Sequence, residues 1–376
     1  MSLFVDGVEP SKIFSGDAAV ASVFVGAEKV WPKDVVIELR LNGMGVTGLD
    51  SAGGVAYEFD QVGERIWVTC PAAQTVEIVE LLTKSVVETV HLNPVNGVAP
   101  ALNPPQPTGS SMYIEHNVPE RYMALCDYDN GYMRFLDTQI FAENWVDAVA
   151  DHPRSCTFTP DWYYLLISDS GPDGSPTSKL HFYTFPSLEE TIEIPGSGGG
   201  YVAVTGDGAR AYVSSIDGTL SEVDIATKTV ISSVKRPAGQ LAIAKSGGVE
   251  RLFVAAGGMA GNGPARVDII DTADNTLIKS VEGFDGATAA IVASPDNRVV
   301  YVGTYTGTKT YMLDAATGEI LSEDGNCQLR FQITVADDPG SAKYCSLVGT
   351  ASLAGEGAGT LEVFDATYPG RGTPAP

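Results

Sequence analysis

The chain has 376 residues, 44% of them hydrophobic, with 41 Gly, 22 Pro and 19% charged residues. That apolar share excludes a wholly disordered chain, and the abundance of turn formers points to many short strands rather than long helices. A formal charge of -24, from 47 acidic against 23 basic residues, repels phosphate backbones and anionic lipid, so nucleic-acid binding is disfavoured and no such partner is expected.

Residues 1–33 carry their own alternation, with the run SVFVGAEKVW at its centre. Ser22 to Val25 and Lys29 to Trp31 flank Gly26-Ala27-Glu28, spacing that predicts a small hairpin. A hairpin by itself is marginal in water, so the segment needs a partner surface. Phe24, Val25, Gly26, Lys29, Val30 and Trp31 are the candidate docking residues, the alternative being that Phe24, Val30 and Trp31 plug one face of the same chain's own ring. No basic segment followed by an unbroken apolar run occurs here, and no stretch of the chain approaches the roughly 18–20 apolar residues of a membrane-spanning helix, so neither a signal peptide nor membrane insertion is expected.

Val35 to Leu41 (VVIELRL) is an isolated β run. After it one pattern recurs, with copies starting near Ala56, Tyr113, Ser155, Tyr201, Leu241, Ala289 and Gln332. The copy from Tyr201 to Val234 is the clearest. VAVT, AYVSS, LSEVDI and VISSV are β-rich pieces joined by GDGAR, IDGT and ATKT, turn chemistry in which Gly accepts positive φ and Asp or Thr side chains bond the local backbone. Each copy is therefore a four-stranded meander. Aligning Trp67, Tyr122, Tyr163, Tyr212, Phe253, Tyr301 and Tyr344 as second-strand aromatics gives steps of about 41 to 55 residues, the period of a propeller blade. A lone blade exposes both sheet faces, and radial stacking buries them.

The expected fold is an all-β, seven-bladed β-propeller of four-stranded antiparallel blades over residues 34–368, with 1–33 as an attachment module and 369–376 as a tail. The last copy shows three strands, so Val35 to Leu41 is expected to complete the seventh blade and close the ring. Pro100 to Thr108 and Pro195 to Gly200 are expected as loops between blades.

The turns Val223 to Thr229 (VDIATKT), Asp271 to Asn275 (DTADN), Asp314 to Gly318 (DAATG) and Asp365 to Thr367, with the strands Ala211 to Ser214 and Val300 to Gly303, resemble YVTN-type seven-bladed propellers. These motifs specify structure; Asp224, Asp271 and Asp314 are expected to cap their turns.

Chemistry-bearing patterns are sparse. His91, His116, His152 and His181 lack metal-ligand spacing, and neither a nucleophile elbow nor a phosphate-binding loop is present. No cofactor, metal or enzyme activity is expected. Asp127 to Gly131 lacks the further oxygen ligands of a calcium loop and is expected as a hairpin turn. The five cysteines have no C-x-x-C pair; Cys70, Cys126 and Cys345 follow the aligned aromatics and are expected as buried apolar thiols. Trp67, Trp145 and Trp162 are expected between blades, an exposed tryptophan instead being free to stack on sugar. Asp169 to Ser178 and Gly257 to Pro264 depart from the tight turns, making Asp169, Asp173, Met259 and Asn262 candidate ligand-loop residues.

Val23-Phe24-Val25-Gly26 followed by Lys29-Val30-Trp31-Pro32 resembles a short N-terminal element of tailed-bacteriophage structural proteins. The resemblance implies a non-enzymatic virion component, made in the host cytoplasm and present in multiple copies. It would be joined through residues 1–33 to other virion proteins and display the propeller for adhesion to a host cell-surface protein or glycan. The alternatives are a bacterial soluble or envelope YVTN-like binding protein and a lactonase-type propeller hydrolase.

Overall fold

The computed structural model describes residues 14–15, 18–19, 23–25, 28–31, 44–49, 55–59, 64–70, 73–80, 83, 85–95, 114–117, 122–128, 130–172, 175–184, 187–236, 239–257, 263–294, 297–324, 333–337, 344–350 and 359–367. Among them the regular structure is entirely β, and no helix is long and apolar enough to cross a membrane.

Six blades are uninterrupted antiparallel meanders of four consecutive strands. Blade 1 comprises Val55–Phe59, Glu64–Cys70, Thr75–Glu80 and Ser85–His91, and blade 2 comprises Ile114–Asn117, Tyr122–Asp127, Tyr132–Asp137 and Ala142–Ala148. Blade 3 is Pro153–Phe158, Leu165–Asp169, Thr177–Thr184 and Ser187–Pro195; blade 4 is Gly199–Val204, Arg210–Ser215, Thr219–Asp224 and Thr229–Lys235. Blade 5 is Leu241–Ser246, Val249–Ala256, Arg266–Asp271 and Leu277–Val281; blade 6 is Thr288–Ala293, Val299–Thr304, Thr310–Asp314 and Ile320–Asp324.

The expectation of seven blades closed by Val35 to Leu41 is corrected. Among the described residues complete meander blades number six, and the remaining four-stranded sheet is composite, with Ile333–Asp337, Tyr344–Thr350 and Gly359–Thr367 joined by Met44–Leu49. Met44–Leu49 pairs antiparallel with the last strand, Val46 opposite Leu361 and Met44 opposite Val363. Val35 to Leu41 lies outside the described residues. Register identifies the closing strand: Gly45, Val46 and Leu49 fall opposite Glu362, Leu361 and Gly359, and a sheet edge takes a segment that meets it in register.

First strands are innermost, each touching the first strand of the next blade, and Ile333–Asp337 of the composite sheet touches both Thr288–Ala293 and Val55–Phe59. Fourth strands face solvent, with Ile231 and Ile278 about half exposed. Side chains of successive blades interdigitate. Trp67, Val76 and Ile78 of blade 1 pack on Met123, Leu125 and Leu136 of blade 2. Phe253, Val267 and Ile269 of blade 5 likewise meet Val300, Val302 and Tyr311 of blade 6. Burying such side chains is worth about 1.5–3 kcal/mol each relative to exposure, which is what holds sheets together that share no backbone ladder.

A repeated turn reinforces this packing. Asp224 Oδ1 accepts from Thr227 N at 2.8 Å and Thr227 Oγ1 at 2.9 Å, Asp271 Oδ1 from Ala273 N at 2.9 Å, and Asp314 Oδ1 from Ala316 N and Thr317 N at 2.8 and 2.7 Å. The three aspartates are turn caps, and Asp137 of blade 2 does the same with Gln139 N at 2.9 Å. Four residues after each Asp the backbone turns left-handed, at Phe141, Lys228, Asn275 and Gly318, with φ of 50°, 52°, 61° and 67°.

That fourth position reaches back onto the preceding blade. Phe141 sits 6.0 Å from Trp67 and under the Arg65 guanidinium. Lys228 pairs with Glu189 and lies 5.4 Å above Tyr164. Asn275 bonds Tyr212 and Glu222. At Gly318 a Cβ would collide with Ile269 Cδ1, so the turn requires glycine for space as well as for φ.

Candidate binding face

Loops joining first to second strands, and third to fourth, emerge at one end of the ring; loops joining second to third strands, and blade to blade, emerge at the other. At the first end lies a recess of about 280 Å³ lined by Val204, Gly206, Asp207, Ile243, Lys245, Glu250 and Asn297. Val204 and Ile243 belong to the inner strands of blades 4 and 5, placing the recess beside the ring axis.

Its walls are fixed by bonds between blades. Gly206 N donates to Glu250 Oε1 at 2.9 Å, joining blade 4 to blade 5, and Lys245 N donates to Asn297 Oδ1 at 3.1 Å, joining blade 5 to blade 6. Asp207 Oδ1 accepts from Ala209 N at 3.0 Å and Thr205 Oγ1 at 2.7 Å. These bonds hold its carboxyl below the usual carboxylate range. Lys245 is exposed, with its backbone rather than its ammonium used in that bond. The recess therefore gathers one cation, Lys245, and two hydrogen-bonded carboxylates, Asp207 and Glu250, in one lining, an arrangement suited to hydrogen bonding a polar ligand. Asp207 was legible in the sequence as turn chemistry, but the convergence of three blades on the recess was not.

Asp169, expected on an exposed contact loop, is fully buried. It ends the second strand of blade 3 at the other face and accepts four bonds: His152 N at 2.8 Å and Asp151 N at 3.1 Å from the preceding connection, Gly171 N at 2.9 Å from its own turn, and His181 Nε2 at 2.9 Å. His181 Nδ1 lies 2.8 Å from Thr191 Oγ1. A buried carboxylate that organises two loops has no capacity left for a ligand. Asp173, Met259 and Asn262 lie outside the described residues.

Burial pushes the Asp169 carboxyl up, but bonds from His181 and the backbone of His152, Gly171 and Asp151 outweigh it and hold it at about 2. With the unfolded value near 3.9, the folded group is depressed, so its stabilisation of roughly 2 kcal/mol is complete above about pH 4 and disappears as pH falls through 2. Asp169→Asn is expected to be less stable by about that amount at pH 7, and the gap between the two proteins should shrink below pH 4. Urea titrations at pH 7, 4 and 2.5 measure this; a gap independent of pH would contradict it.

Other expected residues fall as follows. Val23–Val25 pairs with Glu28–Trp31, Phe24 opposite Lys29 and Val25 opposite Glu28, so the hairpin forms, and Glu28 belongs to the second strand rather than the turn. Its side chains lie outside the described set. Cys70, Cys126 and Cys156 are buried and in no disulfide, and the Cys345 side chain lies outside the described residues. Asp127 accepts from Asn130 Nδ2 at 3.1 Å and from the buried Arg134 Nε at 2.8 Å. Trp67 packs between blades 1 and 2, and Trp145 stacks on Phe135 at 4.5 Å. Two expectations fail here. Trp162 is 42% exposed, and Tyr163, aligned as a second-strand aromatic, precedes the strand Leu165–Asp169 and is 59% exposed.

Among solved structures the chain is similar to hydrazine synthase of Kuenenia stuttgartiensis, with 13% identity and a TM-score of 0.64 over 81% of this chain and 94% of that one. It is also similar to the β-propeller domain of Myceliophteria thermophila Cps50 (Swd1), with 14% identity and a TM-score of 0.58 over 85% of this chain and 99% of that one. At such identities the likeness is one of fold, and the chain is a β-propeller. No family model and no curated protein sequence matches it.

Proposed function

We propose that this propeller is a non-catalytic binding protein of a tailed-phage virion, joined to other virion proteins through residues 1–33 and offering a loop face for adhesion. The observation that carries the reading is the pairing of Val23–Val25 with Glu28–Trp31. A hairpin that small is marginal alone, and its sequence is the one that resembles the N-terminal element of phage structural proteins. Among the described residues the earliest strand of the ring is Met44–Leu49, and the hairpin forms a sheet of its own, so the hairpin takes no part in closure. The YVTN-type reading of the repeat turns belongs to the same proposal. Broad loop faces of a propeller suit recognition without covalent chemistry, and the recess at Lys245 supplies polar groups for it.

The test uses virus particles made with intact protein and with protein lacking residues 1–33. Intact protein should co-purify with particles. The shortened protein should keep its melting temperature within about 2 °C, since no ring strand is lost, yet be missing from particles. Incorporation without residues 1–33, or particles lacking the intact protein, would overturn the proposal. The second outcome would favour a bacterial binding protein, and turnover of a lactone by the purified protein would favour a hydrolase.

A further inference from the structure

Three loops between first and second strands share one backbone: Thr159 to Tyr164 in blade 3, Thr205 to Arg210 in blade 4 and Ser294 to Val299 in blade 6. In each, the first N–H donates to the sixth carbonyl at 2.9 Å, and the fourth N–H donates to the first carbonyl at 2.8 Å. In each, the fourth residue is left-handed, with φ of 60°, 72° and 59°. Blade 4 places Gly208 there and blade 6 Asn297, the residue types that tolerate this conformation. Blade 3 places Trp162, followed by Tyr163 where blades 4 and 6 have Ala209 and Arg298. A bulky side chain at positive φ is an outlier, and such strain persists where surrounding structure or function retains it.

Core packing gives only a small part of the reason. Trp162 touches the ring of Phe158 at a centroid distance of 5.8 Å but stays 42% exposed, and Tyr163, 59% exposed, leans edge-on against Tyr164 at 4.7 Å. The loop beneath them is tied together by Asp161. Asp161 Oδ1 accepts from Thr159 Oγ1 at 2.6 Å and from Tyr163 N at 3.1 Å. Behind it, Tyr164 donates to Glu189 at 3.3 Å and lies under Lys228. Two large rings are thus held at the surface, with ordered carboxylates and hydroxyls beside them.

We propose that Trp162 and Tyr163 form a stacking platform for a neutral sugar ring of a glycan. A pyranose presents an apolar C–H face to an aromatic ring and hydroxyls at its rim, matching rings with a polar border. Net charge of -24 disfavours nucleic acid and anionic sugars. Size disfavours a protein partner: two aromatic side chains supply at most about 500 Å², short of the roughly 800 Å² per partner of a stable protein interface. Pro160 of the same loop adjoins Gly208 of blade 4, whose loop borders the recess at Asp207, so a chain of several sugars would extend toward that recess. This inference rests on the propeller being a binding module, and it names the ligand class while standing apart from the virion assignment.

The test titrates the full-length protein with maltohexaose, cellohexaose and chitohexaose, reading tryptophan fluorescence and calorimetry. At least one should bind, and Trp162→Gly and Tyr163→Ala should each weaken binding tenfold or more. Trp162→Gly relieves the strained φ, so its melting temperature should equal or exceed that of the parent. No binding to any of the three, binding unchanged in both variants, or a Trp162→Gly protein that melts several degrees lower would overturn the proposal. Immunodetection of Trp162→Gly protein in particles separates the two readings: retained incorporation with lost sugar binding is expected, and lost incorporation with sugar binding intact would count against this site.

Discussion

Arg134→Met is expected to destabilise the protein by about 3–5 kcal/mol, because it leaves two carboxylates without their buried counter-charge. Arg134 is fully buried in the third strand of blade 2. Its Nε and Nη2 lie 2.8 Å from Asp127 Oδ2, its Nη1 pairs with Glu143, and the same nitrogen donates to Asn93 O at 3.0 Å on the connection leaving blade 1. Asn93 returns the contact, donating from N and Nδ2 to Glu143 Oε2 at 2.9 and 3.0 Å. One guanidinium therefore joins three strands of its own blade to the previous one. Thermal melts should show a fall of about 5 °C. Adding Asp127→Asn and Glu143→Gln should recover more than half of it, since the larger cost is the stranded charge and not the lost pair. A fall within the roughly 1 kcal/mol of an exposed ion pair would mean that water reaches the site.

Truncation at either side of the closing strand should separate the ring from what precedes it. Removing residues 1–33 leaves every ring strand in place. Removing residues 1–49 takes away Met44–Leu49 and leaves Gly359–Thr367 as an unpaired outer edge. Two effects then combine. The ladder that joins chain start to chain end is gone, and an exposed strand edge becomes a template for association. The longer truncation is expected to melt on the order of 10 °C lower, in a broadened transition, with hydrogen exchange fastest in 359–367. A single sharp transition at the parental temperature would show that stacking between blades, without the closing ladder, holds the ring.

Much of the fold was legible because its signals are local. The turn after Asp224, Asp271 and Asp314 is fixed by a carboxylate bonding N–H groups two or three residues on, and alternation marks the strands between turns. Strand bounds in blade 4 agree with those read from Tyr201 to Val234 to within about three residues. Local signals mislead where a distant partner decides. VVIELRL has stronger β propensity than Met44–Leu49, with its two glycines, yet the latter pairs with the last strand. Tyr163 aligns with Tyr212 by composition, but the turn bonded through Thr159 and Asp161 keeps it out of the strand. DSGPDG has the composition of an exposed turn, yet its first residue is drawn inward by His181 and by two N–H groups of the preceding connection.

The sequence alone determined that this chain is a ring of β-meanders and that a hairpin-forming segment precedes the ring. Each follows from composition or from interactions spanning a few residues. Only the tertiary structure decided which strand closes the ring, which acid is buried beneath the loops, where blades 4, 5 and 6 build a polar recess, and that Trp162 stays at the surface. Those outcomes depend on groups tens to hundreds of residues apart, whose approach is set by sheet register and blade stacking, and no short stretch of sequence encodes it.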